Sequence, residues 1–403
     1  CYSSKSRINM NILVLNAGSS SLKYQVIEMP SQVVKCVGLV ERIGMDDAIF
    51  THEKEDEKHS EILPIKNHEI GLQKVAQTLL DAKIGVINSV DEIEAVGHRV
   101  VHGGSKFSKT VVVNKEVKES IRNLFDLAPL HNPANLTGIE IAETIFTSAK
   151  QIAIFDTAFH QTMPKEAYQY AIPTSYLDDH KIRAYGFHGT SHKYVSEKAI
   201  EYLGVKSKKI ITIHLGNGCS MSAIKEGKSI ENSLGFGPMN GLVMGTRSGD
   251  IDQSVIFFLM NKLNKSIDEV NNLLQKESGM KGLTGFSDLR EIGEAAENGD
   301  EKCQNALDLA AYRIKKYIGS YTAVLNGLDA IVFTAGIGEN SALMRELACK
   351  NLFFLGIDLD LTKNKIRSKE IREIQSKDSN VKILIIPTNE EIEIAKQSYD
   401  LLK

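Results

Sequence analysis

Two stretches of the chain, NILVLNAGSSSLKYQVIE (11–28) and IITIHLGNGCSMSAIKEG (210–227), decide the fold. Each one reads as an apolar strand, a turn rich in glycine and hydroxyl residues, and a second strand. The same unit occurs once in each half of a chain of 403 residues. That length accommodates two domains at about 100–200 residues each, so a duplicated domain is predicted.

Short apolar runs that end at polar or glycine-rich clusters recur outside these stretches, at 152–155, 330–333 and 381–386. Strands that lead through small loops into helices are typical of a layered α/β fold. Helical periodicity predicts three of the helices between them: 188–204 with Ser191 as N-cap, 132–147 with Asn132 as N-cap, and a last helix opened by a capping box at 388–391.

Composition excludes several classes of function. A net charge of −3 gives no electrostatic reason to expect nucleic acid or an anionic membrane as partner. The five cysteines are scattered without metal-type spacing, which favours a reducing, cytoplasmic location. No apolar run approaches the ~18 residues of a membrane span. Residues 1–9 precede a plausible start at Met10 and are interpreted as an extension outside the fold.

Three glycine-containing turns are candidates for phosphate binding: NAGSSSLK (16–23), HLGNGCS (214–220) and the Gly-x-Gly loop of AIVFTAGIGENS (330–341), which precedes a helix start near Asn340. Small residues let backbone amides approach phosphate oxygens, and Lys23 adds a cation. None matches the Walker pattern. Each turn alone is equally typical of an ordinary surface loop. Two such hairpins, each following a buried strand, favour a clamp on a nucleotide.

A longer series of motifs makes the chain resemble the acetate kinase family from Met10 to the C-terminus. In chain order these are ILVLNAGSSSLK, GHRVVHGG (97–104), PLHNP (129–133), FDTAFH (155–160), YGFHGTSH (185–192), HLGNGCS, MGTRSGDID (244–252), AGIGENS (335–341) and PTNEE (387–391). The resemblance implies two related actin-like, ribonuclease-H-like α/β domains, with mixed sheets flanked by helices and an active-site cleft between them. The N-terminal domain would comprise 10–158 plus 388–403. The other, 159–387, would bind nucleotide and form a homodimer.

The resemblance also implies roles for individual residues. Catalytic roles fall on Asp156, Arg99, Arg247, His188 and His131. Arg99 would also bind acetate, whose methyl group enters a pocket of Val101, Leu130, Phe187 and Pro238. ATP or ADP would contact Lys23, His214, Leu215, Gly216, Asn217, Gly218, Asp288, Leu289, Arg290, Gly336, Ile337, Gly338, Glu339 and Asn340. Mg²⁺, or Mn²⁺ in its place, would lie at Asn16 and Glu390. The segment 278–290 is one residue shorter than the family pattern, which weakens the match at Asp288 and Arg290.

The implied reaction is reversible, direct in-line transfer of the γ-phosphoryl group of ATP to acetate, giving acetyl phosphate and ADP. Its loose transition state spreads negative charge over the phosphoryl oxygens, so cations such as Arg99 and Arg247 have to be aimed at that charge. Acetate, with a pKa of about 4, is already ionised at neutral pH and requires no general base. We therefore expect Asp156 to orient Mg²⁺ or its waters, with proton transfer as the alternative.

Two other functions stay open from the sequence. The first is a kinase of propionate or of another short-chain carboxylate such as butyrate. One methylene in the acceptor is worth only ~1–3 kcal/mol of discrimination. A non-catalytic ATP-binding switch is the alternative from another class, because actin-like folds also serve that purpose. The set Arg99, Arg247 and His188 argues against a switch, since a switch has no second anion to bind.

Overall fold

A computed structural model describes residues 9–204 and 208–403, so most of the predicted extension lies outside the described residues. These residues divide into two compact units. The first comprises the described residues up to Ala158 together with Asn389–Lys403, and the second comprises Phe159–Thr388. Each unit contains one mixed sheet flanked by helices, so the predicted α/β fold class with mixed sheets flanked by helices is confirmed.

The sheet of the first unit has the strand order β5-β4-β3-β2-β1-β6-β8-β7. Its strands are β1 (Met10–Ala17), β2 (Ser21–Met29), β3 (Val33–Glu41), β4 (Ala48–Lys54), β5 (Glu57–Leu63), β6 (Ile93–Val100), β7 (Val111–Val112) and β8 (Lys150–Phe155). Strands β1 to β5 form an antiparallel meander. Strands β6 and β8 continue the sheet parallel to β1.

The sheet of the second unit has the order β11-β10-β9-β12-β14-β13. Its strands are β9 (Lys209–Leu215), β10 (Cys219–Lys225), β11 (Lys228–Asn232), β12 (Ala330–Thr334), β13 (Arg372–Glu373) and β14 (Lys382–Ile385). The three strands β9 to β11 are antiparallel, β12 and β14 are parallel to β9, and the edge strand β13 is antiparallel. Apart from the additional strands β4 and β5, this is the connectivity of the first sheet. The two units therefore share one topology, as the paired hairpins predict.

The helices connect and cover these strands. They are α1 (His68–Leu79), α2 (Lys115–Arg122), α3 (Asn132–Ile145), α4 (Lys165–Tyr168), α5 (Thr174–His180), α6 (Gly189–Leu203), α7 (Gln253–Asn261), α8 (Ile267–Lys276), α9 (Gly279–Thr284), α10 (Leu289–Glu297), α11 (Glu301–Leu325), α12 (Ala335–Asn340), α13 (Ala342–Cys349), α14 (Leu361–Lys365) and α15 (Glu390–Leu402). Short 3₁₀ segments lie at Val90–Glu92, Ala158–Thr162 and Phe353–Leu355. Within the described ranges, no helix has both the length and the apolarity needed to cross a bilayer.

Both faces of β1 are covered, which explains its nearly continuous apolar sequence. Leu13 and Leu15 belong to a core that also contains residues of α1 and α3. Ile12 and Val14 point to the opposite face and pack in a core with Ile394 of α15. Gly97 of β6 permits this packing, because a Cβ there would lie 2.8 Å from the Ile394 side chain.

The three predicted N-caps are wrong, each by one to three residues. Helix α6 begins after His188, whose backbone is left-handed, and Ser191 is buried inside its first turn. Helix α3 begins at Asn132, with His131 at the cap position. Asn389, not Thr388, caps α15, because its side chain accepts the Ile392 N–H. In all three cases the residue predicted as the N-cap forms a side-chain hydrogen bond to a distant segment, and local sequence does not encode such a partner.

Candidate functional site

In the first unit, an arginine and an aspartate meet at the carboxyl ends of neighbouring parallel strands. Arg99 is near the end of β6 and Asp156 directly follows β8, where its backbone N–H donates to the Val100 carbonyl. The Arg99 guanidinium donates from Nη2 to Asp156 Oδ2 at 2.6 Å and from Nε to both carboxylate oxygens at 3.1 Å. Asp156 is only 1% exposed. The pair therefore forms a charge-assisted, bidentate contact that is largely shielded from water.

The first turn of α15 adds two more carboxylates to this pair. Glu390 Oε2 lies 3.9 Å from Arg99 Nε, and Glu391 forms an ion pair with Lys23. Burial raises the pKa of Glu390; the positive charge of Arg99 opposes this rise, and the negative charges of Asp156 and Glu391 add to it. Although burial disfavours a charged guanidinium, the carboxylates of Asp156 and Glu390 raise the pKa of Arg99, which stays protonated.

This cluster fits a divalent cation. Three carboxylates, those of Asp156, Glu390 and Glu391, face the two cationic side chains of Arg99 and Lys23, which leaves one negative charge in excess. Asn16, with a neutral amide oxygen, lies opposite Lys23 in the β1–β2 pairing. Among the described residues no group of three or more His, Cys, Asp or Glu forms a metal cage. Mg²⁺ commonly uses one or two carboxylates and retains water, so the smaller set suffices.

In the second unit, a turn between β9 and β10 is bordered by an arginine and a histidine. The turn spans Gly216 to Gly218 and closes with a bond from Gly216 N–H to the Gly218 carbonyl. A Cβ at Gly218 would lie 2.8 Å from Arg247 Nη2 and 3.4 Å from His188 Nε2. The backbone of Gly218 is not in the left-handed region, so the effect of a side chain there would be to crowd the guanidinium and not to strain the backbone. Arg247 is oriented by donation from Nη1 to the Pro238 carbonyl at 2.6 Å.

Two cavities open beside this turn. The smaller, of about 220 Å³, is mainly apolar and is lined by Leu215, Val243, Met244, Met280, Ile337 and Met344, among others. The larger, of about 780 Å³, is lined by the loop of Gly216 and Asn217, by Asp288 and Arg290, by Gly336 and by the basic side chains of Arg345, Lys365, Arg367 and Arg372. Carboxylates of Asp288, Glu294, Glu297 and Glu339 also line the larger cavity, so its charge is mixed. An apolar pocket beside a wider polar one suits a heterocyclic base joined to phosphates.

Comparison with known proteins gives the same picture. The sequence profile of the acetokinase family matches residues 11–396. The chain belongs to the acetokinase family. The acetate kinase of Flavobacterium johnsoniae is 62% identical over 394 residues, which cover 98% of this chain and all of that protein. The crystal structure of Porphyromonas gingivalis acetate kinase is 44% identical, with a TM-score of 0.93 over 98% of this chain and 100% of its own. A propionate kinase from Francisella tularensis is 41% identical, with a TM-score of 0.92 over 97% of this chain and 99% of its own.

Membership in the acetokinase family confirms the resemblance drawn from the motifs. It also identifies the chain as a kinase with a carboxylate acceptor, and it sets aside the alternative of a non-catalytic switch.

Most of the acetokinase nucleotide residues predicted from sequence line the two cavities. They are Leu215, Gly216, Asn217, Asp288, Leu289, Arg290, Gly336, Ile337, Glu339 and Asn340. Gly338 is buried, and its carbonyl accepts from Arg345. His214 stacks on His188 with 4.3 Å between ring centroids. Lys23 belongs to the first unit.

One local prediction in the nucleotide region is wrong, and one predicted contact residue is engaged locally. A helix starts at Ala335, directly after β12, so Gly336 and Gly338 lie inside α12 and not in a loop; Ser341 then caps α13. Asp288 is also engaged locally: it caps α10 through the Arg290 N–H and receives the Arg290 guanidinium, although that side chain is 87% exposed.

The predicted acetate-pocket residues are divided between the units. Val101 and the half-exposed Leu130 belong to the first, and the buried Phe187 and the partly buried Pro238 belong to the second. The carbonyl of Phe187 accepts from His160 Nε2 at 2.9 Å. His131 occupies the position before α3, where its carbonyl accepts the Asn135 N–H.

Sequence reasoning missed two asparagines that hold this part of the first unit together. Asn135 donates to the Ala17 carbonyl at 2.7 Å and accepts from the Val101 N–H at 3.0 Å. Asn132 accepts from the His102 N–H and donates to the His102 carbonyl, both at 3.0 Å. Both are nearly fully buried. They tie the segment after Arg99 to the end of β1. The sequence signal is the motif HNPAN (131–135), in which local sequence predicts Asn132 only as a helix N-cap.

Proposed function

We propose that this chain catalyses the reversible transfer of the γ-phosphoryl group of ATP to acetate, giving acetyl phosphate and ADP. The observation that carries the proposal is the placement of Arg247 and His188 against the Gly218 turn, in a chain of the acetokinase family. The terminal phosphate of a nucleotide bound in the adjacent cavities would lie at this turn. There both side chains can stabilise the charge of the phosphoryl group during transfer.

The residues of the first unit would bind the acceptor and the metal. Arg99 donates to Asp156 from Nε and Nη2, so a second carboxylate would bind at the Nη1–Nη2 edge of the guanidinium. Val101 and Leu130, with Phe187 and Pro238, would enclose the methyl group. Asp156, Glu390 and Asn16 would hold Mg²⁺, directly or through water. When bound, the ion supplies positive charge to the phosphate oxygens.

Asp156 has a further role in this proposal. Because its carboxylate accepts from Nε and Nη2 of Arg99, it holds the guanidinium in one orientation. Acetate arrives ionised, so nothing in the forward direction requires Asp156 as a base. Orientation of Arg99 is the function that its geometry supports, and orientation of Mg²⁺ or its waters stays a prediction.

Propionate is the second candidate acceptor, since a propionate kinase has nearly the same TM-score as the acetate kinase. Hydroxylamine trapping of acyl phosphate, with ATP and equal concentrations of acetate, propionate or butyrate, decides between them. A higher kcat/KM for acetate is expected. Faster reaction with propionate would change the assigned substrate, and no acyl hydroxamate with any acceptor would refute the proposed function.

We further propose that two identical chains associate through α7. None of its nine residues is buried, and the apolar side chains of Val255, Phe257 and Phe258 are 44%, 62% and 57% exposed. Exposed apolar patches of this kind mark interfaces. Light scattering after gel filtration should give twice the chain mass, and Phe257→Glu with Phe258→Glu should reduce it to one; an unchanged mass would contradict this assignment. The location is proposed to be the cytoplasm, supported by the four free, buried cysteines of the described residues.

A further inference from the structure

A line of hydrogen bonds runs from the ring of His188 into the buried interior of the second unit. His188 Nδ1 lies 2.8 Å from Ser220 Oγ, and the same hydroxyl lies 2.7 Å from His192 Nε2. On the other side of that ring, His192 Nδ1 lies 2.7 Å from Thr212 Oγ1. Ser220, His192 and Thr212 are all 0% exposed. A protein interior with this many short contacts allows few arrangements of protons.

Two arrangements of protons satisfy these contacts, and they differ in the position of the Thr212 proton. Thr212 Oγ1 has two polar groups near it, His192 Nδ1 at 2.7 Å and the Ser222 carbonyl at 3.5 Å. In one arrangement the hydroxyl donates to this carbonyl and accepts from His192 Nδ1–H. In the other it donates to His192 Nδ1, and the 3.5 Å contact, at the outer limit of a hydrogen bond, is not made. Burial, with the charges of His160 and His214 adding to it, lowers the pKa of His192 well below its usual value. The ring is therefore neutral and carries one proton.

The proposed function selects the second arrangement, because a neutral His188 that donates from Nε2 to a phosphoryl oxygen has to accept at Nδ1. Because His192 Nδ1 accepts, its proton is on Nε2 and is donated to Ser220 Oγ. The one proton of Ser220 is donated to His188 Nδ1. A neutral His188 that accepts at Nδ1 carries its own proton on Nε2.

We infer that Thr212, His192 and Ser220 are positioning residues that select the Nε2–H tautomer of His188 and hold its ring in place. The inference rests on the proposed function, in which His188 donates to the phosphoryl group. The Nε2 edge faces the correct place, because a Cβ on Gly218 would lie 3.4 Å from Nε2 and 2.8 Å from Arg247 Nη2. The opposite tautomer would present a lone pair to an anion and repel it.

The arrangement also explains how a histidine donor operates beside an arginine. Arg247 is adjacent to the ring, and His214 stacks on it at 4.3 Å. A second positive charge in that position is disfavoured by repulsion. A neutral Nε2–H donor directs a dipole at the phosphoryl oxygen without adding that charge.

Nitrogen-15 NMR of histidine-labelled protein tests the inference without reference to activity. Long-range proton–nitrogen correlations distinguish Nδ1–H from Nε2–H rings, and His188→Gln assigns the His188 signals by their loss. The expected spectrum of the free protein has His188 and His192 both as neutral Nε2–H rings. An Nδ1–H ring or an imidazolium at His188 near pH 7.5 would overturn the inference.

Kinetics of variants supplies the second arm. Ser220→Ala should lower kcat about tenfold with little change in the KM of ATP or acetate, and should give His188 averaged tautomer signals; Ser220→Thr should restore both. Thr212→Val should alter the His188 signals although Thr212 is remote from the turn, whereas Thr212→Ser should not. Ser196→Ala, which removes another fully buried hydroxyl, is the matched control for stability.

These two arms separate the inference from the proposed function. If the protein made no acyl phosphate, the proposed function would fail, while the NMR arm would still test the tautomer. Wild-type kcat in Ser220→Ala, with circular dichroism confirming the fold, would refute the positioning role even if the enzyme were an acetate kinase.

Discussion

The substitution Gly218→Ala adds one methyl group at the point where Arg247 and His188 approach the second hairpin turn. The new carbon would lie 2.8 Å from Arg247 Nη2, closer than non-bonded atoms tolerate, and 3.4 Å from the His188 ring. The guanidinium is the end of a flexible side chain, so it moves and the backbone does not. Its bond to the Pro238 carbonyl, now 2.6 Å, would be lengthened or lost.

The size of the effect follows from this displacement. A shift of about 1 Å in a group that stabilises the transition state costs ~100-fold in rate, equal to ~2.7 kcal/mol in activation free energy. The free energy of unfolding should fall by only ~1 kcal/mol, the usual contribution of one hydrogen bond. We therefore expect a large fall in kcat with an almost unchanged melting temperature, measured by hydroxamate formation and by circular dichroism.

Two controls make the prediction specific. Gly237→Ala, in the segment next to Pro238, meets no atom within 4 Å and should leave kcat unchanged. In an Arg247→Ala background the added methyl has no guanidinium to displace, so Gly218→Ala should have little further effect. Full additivity of the two substitutions, or wild-type kcat in the single variant, would show that the reasoning about the turn is wrong.

Three further predictions concern charged groups. Arg99→Ala should raise the KM for acetate. It should also lower the free energy of unfolding by about 3 kcal/mol, because it leaves Asp156 buried without this guanidinium. Arg247→Ala should mainly lower kcat, and near-normal acetyl phosphate formation by both variants would falsify the roles given to the two arginines. Asp156→Asn should lose activity that a higher Mg²⁺ concentration partly restores, and a loss insensitive to Mg²⁺ would argue against its role at the metal. Burial raises the pKa of Glu231 to about 7, so the folded state binds this proton more tightly than the unfolded state. Stability should accordingly fall as pH rises from about 4.5 to about 7, and Glu231→Gln should remove up to ~3 kcal/mol of that decrease in urea titrations; parallel pH profiles for both proteins would contradict this.

The segments 214–218, 288–290 and 336–340, which the family resemblance assigns to the nucleotide, line cavities of the second unit with few exceptions. Nucleotide binding by these residues stays a prediction. The catalytic roles of the individual residues stay proposals. The predicted active-site cleft between the two domains also stays a prediction.

The sequence by itself determined the strands that coincide with its short apolar runs, the duplicated hairpins and the family, because apolar runs and glycine turns are local properties. It did not determine which side chains bond to one another across long separations. Arg99 and Asp156 are 57 residues apart and meet because β6 and β8 are parallel neighbours in a definite register. His188, Ser220, His192 and Thr212 come together because α6 packs against β9 and its partner β10. Ser191 and Asn132 looked like helix caps for the same reason: a short polar side chain satisfies a cap or a distant partner equally well, and only the packed structure decides which one is within reach.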